Sequence, residues 1–210
     1  YVNQNRYFFP ETVRHLYRII TDGEPIPQDF VVKYNLDEPI LIADMGIYDL
    51  GMDSIAVEAI QKIPSVKNVR MLKQFSGDSS KGYFPYSSFF PWNRDQFGPL
   101  IVPYEGQAVD LTLKNIDLYR EIIDIYEGNE LLVDFSGITI NGRKAAKYTF
   151  KKDYFFLMDD NQADPNDSRL IGFIPESHLL GRSKRILYSG KSRFEHLKVS
   201  GLKRFLKKID

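Results

Sequence analysis

The 210-residue chain contains no cysteine. That removes disulfide scaffolds, thiol nucleophiles and cysteine-based metal centres from consideration. Histidine is scarce too: His15, His178 and His196 stand far apart, with no second histidine at ligand spacing. No metal and no cofactor is expected. No apolar run approaches the roughly 20 residues that cross a bilayer, and no secretory leader opens the sequence. The phosphate-cradling patterns G-x-x-x-x-G-K-[ST] and G-x-G-x-x-G are missing, as is the G-x-S-x-G nucleophile elbow. Net charge is also missing, with 28 basic against 28 acidic residues. The balance is uneven, however: from Gly181 to Asp210 there are ten Lys and Arg against two acids. Such a tail suits an anionic surface or an acidic partner. No nucleic-acid module accompanies it, so no nucleic acid is expected as a partner. The chain opens on Tyr1 rather than methionine and reads as part of a longer protein.

What is present changes texture along the chain. "YVNQNRYFF" at the start is strand-like. "HLYRIIT", "PILIADMG", "IYDLGM" and "VKNVRMLKQF" read as strands. Between them, "PQDFVVKYNL" opens with proline like a short helix, and "DSIAVEAIQKIP" repeats Ala56, Ala59, Ile60 and Ile63 at helical spacing. Asp53 or Ser54 can cap that second helix. The order β-α-β-β-α-β is that of a ferredoxin-like unit. Seven aromatics and two prolines then crowd Ser76 to Phe97 without periodicity, as rings that cover a sheet. Beyond Gly98, "PLIVP", "QAVDLTL", "ELLVDFSGITINGRKAAKYTF", "DYFFLM" and "RSKRILYS" read as strands. A helix over "NIDLYREIIDIYEGN" interrupts them, capped by Asn115 and stopped by Gly128. The expected fold class is mainly β, with a small α+β, ferredoxin-like insertion. The body comprises 1–12 and 99–189, the insertion 14–76, the aromatic loop 77–98 and the basic tail 190–210.

One stretch carries more than texture. From Asp153 to Pro175, "DYFFLMDDNQADPNDSRLIGFIP", a hydrophobic strand empties into a loop with Asp160-Asn161, then Asp167-Ser168-Arg169, Gly172 and Pro175. EF-hand spacing fails at every aspartate there. The run resembles the last motif of the type I signal peptidases, G-D-N-R-x-x-S-x-D-S-R-x-x-G-x-[VI]-P. "SHLLGRSKRILYS" resembles their closing strand, and "FPWNRDQFGPLIVP" a stretch seen in long-insertion members. The resemblance implies a β-rich serine endopeptidase anchored in the bacterial inner membrane, with this domain on its periplasmic, extracytoplasmic side. A Ser nucleophile and a Lys base there process signal peptides of exported preproteins. Such a base works only when neutral, a state that burial favours by lowering its pKa. The resemblance also implies supporting roles: Asp167 and Arg169 as a partly buried ion pair around Ser168, Asp160 and Asn161 shaping the loop beside the base, and Gly172 in the turn.

Departures accompany it. The family's Ser-Met-x-Pro box is missing, since Met45, Met52, Met71 and Met158 follow Asp, Gly, Arg and Leu. The chain alone is therefore expected to be inactive, with both reacting boxes placed upstream of Tyr1. Within the loop the leading Gly is Asp159, the usual Arg is Gln162 and a Ser is Pro165. Asp159 would hold a carboxylate near the lysine and favour its charged form. Three readings stay open: the outer-face part of a signal peptidase, an inactive paralogue that binds signal-peptide-like segments or a partner protein, and an unrelated β-rich binding module. Tail residues Lys198, Lys203, Arg204, Lys207 and Lys208 flank Leu197, Leu202, Phe205 and Leu206, as in a surface helix that docks on a membrane.

Overall fold

β1 (His15–Thr21), α1 (Gln28–Lys33), β2 (Ile40–Ala43), β3 (Ile47–Met52), α2 (Ser54–Ile60) and β4 (Val66–Met71) follow one another in the order that the sequence patterns predict. The computed structural model describes residues 11–75, 77, 82–164, 166–186 and 207–208. The strand expected at the start, within 1–9, most of the basic tail, and Pro165 lie outside them.

These first four strands form one sheet in the order β2-β3-β1-β4, every neighbouring pair antiparallel. With the two helices, this is the ferredoxin-like topology. Ile19, Leu50 and Met52 from the sheet bury against Ile26, Phe30, Val31, Ala56 and Ile60. The Asp53 carboxylate accepts the Ala56 N–H at 2.8 Å and fixes the start of α2. Gly46 turns β2 into β3 at φ +77, and a Cβ there would lie 2.3 Å from Thr21 Oγ1. Only glycine fits that turn.

The second core is built from later residues. β5 (Ala108–Asp110) pairs with β9 (Lys147–Thr149), and β6 (Leu131–Asp134), β7 (Gly137–Ile140) and β8 (Arg143–Lys144) form a meander. Asn141 and Gly142 take φ of +51 and +74 in the β7–β8 turn, the geometry that Asn-Gly favours. β10 (Tyr154–Phe155) pairs with β11 (Ile174–Pro175), and α4 (Ser168–Ile171) sits between them in sequence. The segment "PLIVP" is not a strand. Pro99 and Pro103 bracket it and supply no N–H for a ladder; buried Pro103 accepts the Tyr154 N–H instead.

α3 (Ile116–Glu121) buries Ile116, Leu118 and Tyr119 and continues as a π-helical turn, Ile122–Tyr126. Asn115 does not cap it, contrary to expectation: its Oδ1 accepts the Thr112 N–H and its Nδ2 donates to Asp110 O. Thr112 does the neighbouring work, its Oγ1 accepting the Asn115 N–H and its carbonyl the Ile116 N–H. The π turn places Glu127 where its carboxylate accepts from the Tyr148 and Tyr154 hydroxyls and the Lys151 N–H. Burial raises the pKa of both tyrosines, and the Glu127 charge adds to it.

Part of the aromatic loop feeds this core, while Tyr86 and Phe89 stay exposed. Phe84 and Trp92 are buried, with Phe90 and Phe97 packed against them. Rings run in contact from Trp92 through Phe97 and Phe156 to Phe173, which also meets Phe84 edge-on. By internal packing the chain divides into Tyr1–Glu176 and Ser177–Asp210. In the second unit, β12 (Arg185–Ile186) pairs antiparallel with β13 (Lys207–Lys208). At Lys207 and Lys208 the backbone is thus a strand, not the helix expected of the tail. Its other members, Leu197, Lys198, Leu202, Lys203, Arg204, Phe205 and Leu206, lie outside the described residues. Among the described residues no helix is long and apolar enough to cross a membrane.

Candidate functional site

The loop after β10 closes on a buried ion pair. Asp167 caps α4, its Oδ1 accepting the Arg169 N–H at 2.9 Å. The same carboxylate takes Arg169 Nε at 3.1 and 3.2 Å and Nη2 at 2.7 Å, and accepts the Asp159 N–H at 2.8 Å. Arg169 is 1% exposed and Asp167 6%, so the pair is fully buried where the sequence suggested partial burial. Burial pushes the Asp167 carboxyl up, but the guanidinium and the Asp159 and Arg169 N–H groups together hold its pKa below the ordinary carboxylate value.

The remaining donors of Arg169 are also used. Nη1 donates to the Arg94 carbonyl at 3.2 Å and to Gln162 Oε1. Gln162, itself buried, returns its Nε2 to the Asp159 carbonyl. The departure at this position is therefore built into the ion pair's surroundings. Ser168 is wholly buried, and its Oγ accepts the Leu157 N–H at 3.0 Å. No lysine amine bonds to it among the described residues, so it ties the loop to its entering strand and has no nucleophile's partner. At Gly172 the chain turns at φ +80, and a Cβ there would lie 2.7 Å from Phe84 Cδ2. Phe84 in turn donates its N–H to the Arg169 carbonyl at 2.8 Å.

Asp160 and Asn161 meet the ferredoxin-like module. The Asp160 carbonyl accepts the Arg14 N–H at 2.8 Å, and Asn161 bridges Arg14 in parallel just before β1. Asn161 Oδ1 is buried without a hydrogen-bond partner. Across from the loop lies Gly51 of β3, where a Cβ would stand 2.9 Å from Ala163 Cβ. Asp159 departs from the sequence argument. It is exposed, and its Oδ1 accepts the Asn161 N–H at 2.9 Å. The carboxylate faces solvent and its own loop, which leaves the argument that it charges a nearby lysine without structural support. Pro165 lies outside the described residues.

Sequence reasoning missed three residues that hold this loop from the other side. Arg94 sends Nη1 to the Ala163 carbonyl and Nη2 to the Leu72 carbonyl, both at 3.2 Å, and pairs with Asp95 at 3.0 Å. Asp95 accepts the Gln74 N–H, and wholly buried Asn93 donates to the Phe75 carbonyl. The signal was visible: three consecutive polar residues, "NRD", inside an aromatic run. His15 shares this neighbourhood. Burial lowers its pKa, Asp95 opposes that, and Lys73, Arg94 and Arg169 reinforce it.

Comparison with known proteins places this geometry. The family described as "Signal peptidase, peptidase S26" matches residues 105–188, which contain the Asp167–Arg169 pair and all of α4. The match covers less than half of the chain and marks residues 105–188 as similar to that family. A Signal peptidase I of Aquifex aeolicus (strain VF5) is 40% identical over 45 residues, 21% of this chain and 18% of that protein. The chain thus spans under a fifth of that relative's length in the matched region. No solved structure matches the chain. The S26 segment holds every quoted loop residue, whereas Arg94, Asp95 and the ferredoxin-like module lie before it. What the arrangement does chemically is hold: apart from the unpartnered Asn161 Oδ1, the buried polar side chains named here are committed to fixing the loop. Among the described residues no three His, Asp or Glu side chains converge as metal ligands.

Proposed function

We propose that this chain is the extracytoplasmic scaffold of a signal peptidase I-like serine endopeptidase of bacteria, which processes signal peptides of exported preproteins. The observation that carries the reading is the buried Asp167–Arg169 pair inside the S26 segment. A Ser–Lys site depends on a lysine kept neutral and aimed at its serine. A loop locked at Asp159, Gln162, Ser168 and Arg169 supplies a rigid wall for such a site. The sequence contains no Ser-Met-x-Pro box, and this reading assigns these residues the wall of the site rather than its serine. Asp160 and Asn161 shape the wall, Gly172 lets it turn, and the basic tail docks the domain on anionic lipid.

The test uses the protein expressed from its complete reading frame and a preprotein with an Ala-x-Ala site. Cleavage at that site, reduced in Asp167→Ala while preprotein binding persists, supports the proposal. A protein that binds the preprotein and never cleaves it is the inactive paralogue. The buried Gln162, standing where the family has Arg, is the observation that favours that second reading. A protein that neither binds nor cleaves overturns both.

A further inference from the structure

The ferredoxin-like sheet has two unlike edges. β2 forms one, and its Ile40, Leu41 and Ile42 are 62%, 52% and 47% exposed. Three consecutive exposed aliphatic residues on an edge strand invite pairing with another strand, a liability that stable monomers usually blunt with charge, proline or cover. Here the charges stand at the ends of the strand: Glu38 before it and Asp44 after it. Both are exposed and in no ion pair among the described residues. The opposite edge is β4, which with its flank exposes Lys67, Arg70 and Lys73. Lys67 meets Asp22 on the surface at 3.0 Å, and Arg70 and Lys73 form no ion pair among the described residues.

Strand direction and charge together select the partner. β2 runs antiparallel to β3, β3 to β1, and β1 to β4. β2 and β4 therefore point in opposite directions. A second copy translated along the sheet offers its β4 antiparallel to β2, continuing the pattern already present within the sheet. In a single register Glu38 then faces Lys73 of the second copy, Ile40 faces Met71 and Asp44 faces Lys67. Irregularities at Ile42 in β2 and at Lys67 in β4 both fall at this end of the register, so Asp44 meets Lys67 across a one-residue offset that the lysine stem can span. The alternatives within one species of chain are worse. Two β2 edges paired about Leu41 would set Glu38 against Asp44 at both ends, and two β4 edges would oppose their lysines; like charges across strands repel. A net charge of zero leaves little overall repulsion to keep copies apart.

We infer that the β2 edge of one copy pairs with the β4 edge of a second copy, extending the antiparallel sheet from molecule to molecule. The contact joins different surfaces, so association continues past the dimer.

Sedimentation velocity of the 210-residue chain at rising protein concentration tests this. Glu38→Lys/Asp44→Lys and Lys67→Glu/Lys73→Glu are run beside it, together with the four-fold variant. The unmodified chain is expected to form oligomers that dissociate as salt rises. Each double reversal should weaken association about tenfold or more, because attractive end pairs become repulsive ones. Mixing the two double variants, or combining all four changes, should restore it. All four side chains are exposed, so unchanged melting curves verify that the variants fold. A chain that stays monomeric at every concentration, oligomers indifferent to the reversals, or reversed chains that fail to associate on mixing would each overturn the inference.

Discussion

Replacing Asp167 by alanine removes one carboxylate and leaves several groups stranded. The Arg169 guanidinium, 1% exposed, keeps only the Arg94 carbonyl and Gln162 Oε1 as acceptors. The Asp159 N–H loses its acceptor, and α4 loses its cap. Removing one partner of a buried ion pair costs about 3–5 kcal/mol, because the other charge remains desolvated. Solvent screening gives no discount, since the side chains are 1% and 4% exposed. For a chain of this size each kcal/mol moves the midpoint by roughly 2–4 °C, so the expected drop is on the order of 6–20 °C.

Thermal unfolding of the chain followed by circular dichroism measures that drop. Asp167→Asn separates charge from capping: it keeps an acceptor for the Arg169 N–H and should fall between alanine and the unmodified chain. Asp167→Ala/Arg169→Leu removes both charges and should recover part of the loss. Acid provides an independent readout. The folded pKa of Asp167 lies below its ordinary 3.8. Its stabilisation is therefore complete above that value and is lost as pH falls through the folded one. The unmodified chain should destabilise through that acid range more steeply than Asp167→Asn. A change of less than about 2 °C in Asp167→Ala would refute the reasoning, because a buried guanidinium cannot be orphaned at so small a cost.

Other outcomes follow from the same structure. Gly172→Ala forces a Cβ to 2.7 Å from the Phe84 ring at φ +80, and a stability loss on the order of 1–3 kcal/mol in denaturant unfolding is expected. Arg94→Met deletes the bonds to the Leu72 and Ala163 carbonyls, so amide exchange at Asn161 to Asp164 should speed up while β5 and β9 stay protected. Asp159→Gly removes an exposed side chain that touches only its own loop, and its unfolding free energy should stay within about 0.5 kcal/mol of the unmodified value. Vesicle flotation should recover more of the chain with anionic than with neutral lipid, and equal recovery would rule out electrostatic docking of the tail.

The ferredoxin-like unit was legible because local signals agreed with its tertiary packing. The Asp53 cap, the repeat of Ala56 and Ile60, and glycine at Gly46 each have one local explanation, and each points to the same element. The body was less legible where non-local demands decided the outcome. "PLIVP" has a strand's composition, but its two prolines remove ladder donors. Asn115 has a cap's identity, but the turn before it claims the side chain. The aromatic loop has no period at all, because its rings fill gaps between elements distant in sequence. The candidate site shows the same division. Asp167, Arg169 and Gly172 were found because a linear motif holds them together. Arg94 was missed because its contacts with Leu72 and Ala163 exist only after folding.

The four aspartates of the loop differ because their burial differs, which its composition does not reveal. Asp159, Asp160 and Asp164 are exposed. Asp159 folds its carboxylate onto the Asn161 N–H, while Asp160 contributes its carbonyl to Arg14. For these two, local geometry sets the loop's shape at little desolvation cost. Asp167 alone is taken out of water, and it is the one that receives the arginine and two backbone N–H groups. A buried carboxylate without those partners would protonate or unfold the loop. The arginine has the same need, which Gln162 and the Arg94 carbonyl complete. Through Arg94 the chain of partners reaches Leu72, just beyond β4. The exit of the ferredoxin-like sheet and the loop before α4 are thus fixed by one side chain. A change that loosens Arg94 should therefore be felt at Asn161 to Asp164 before it is felt in either hydrophobic core.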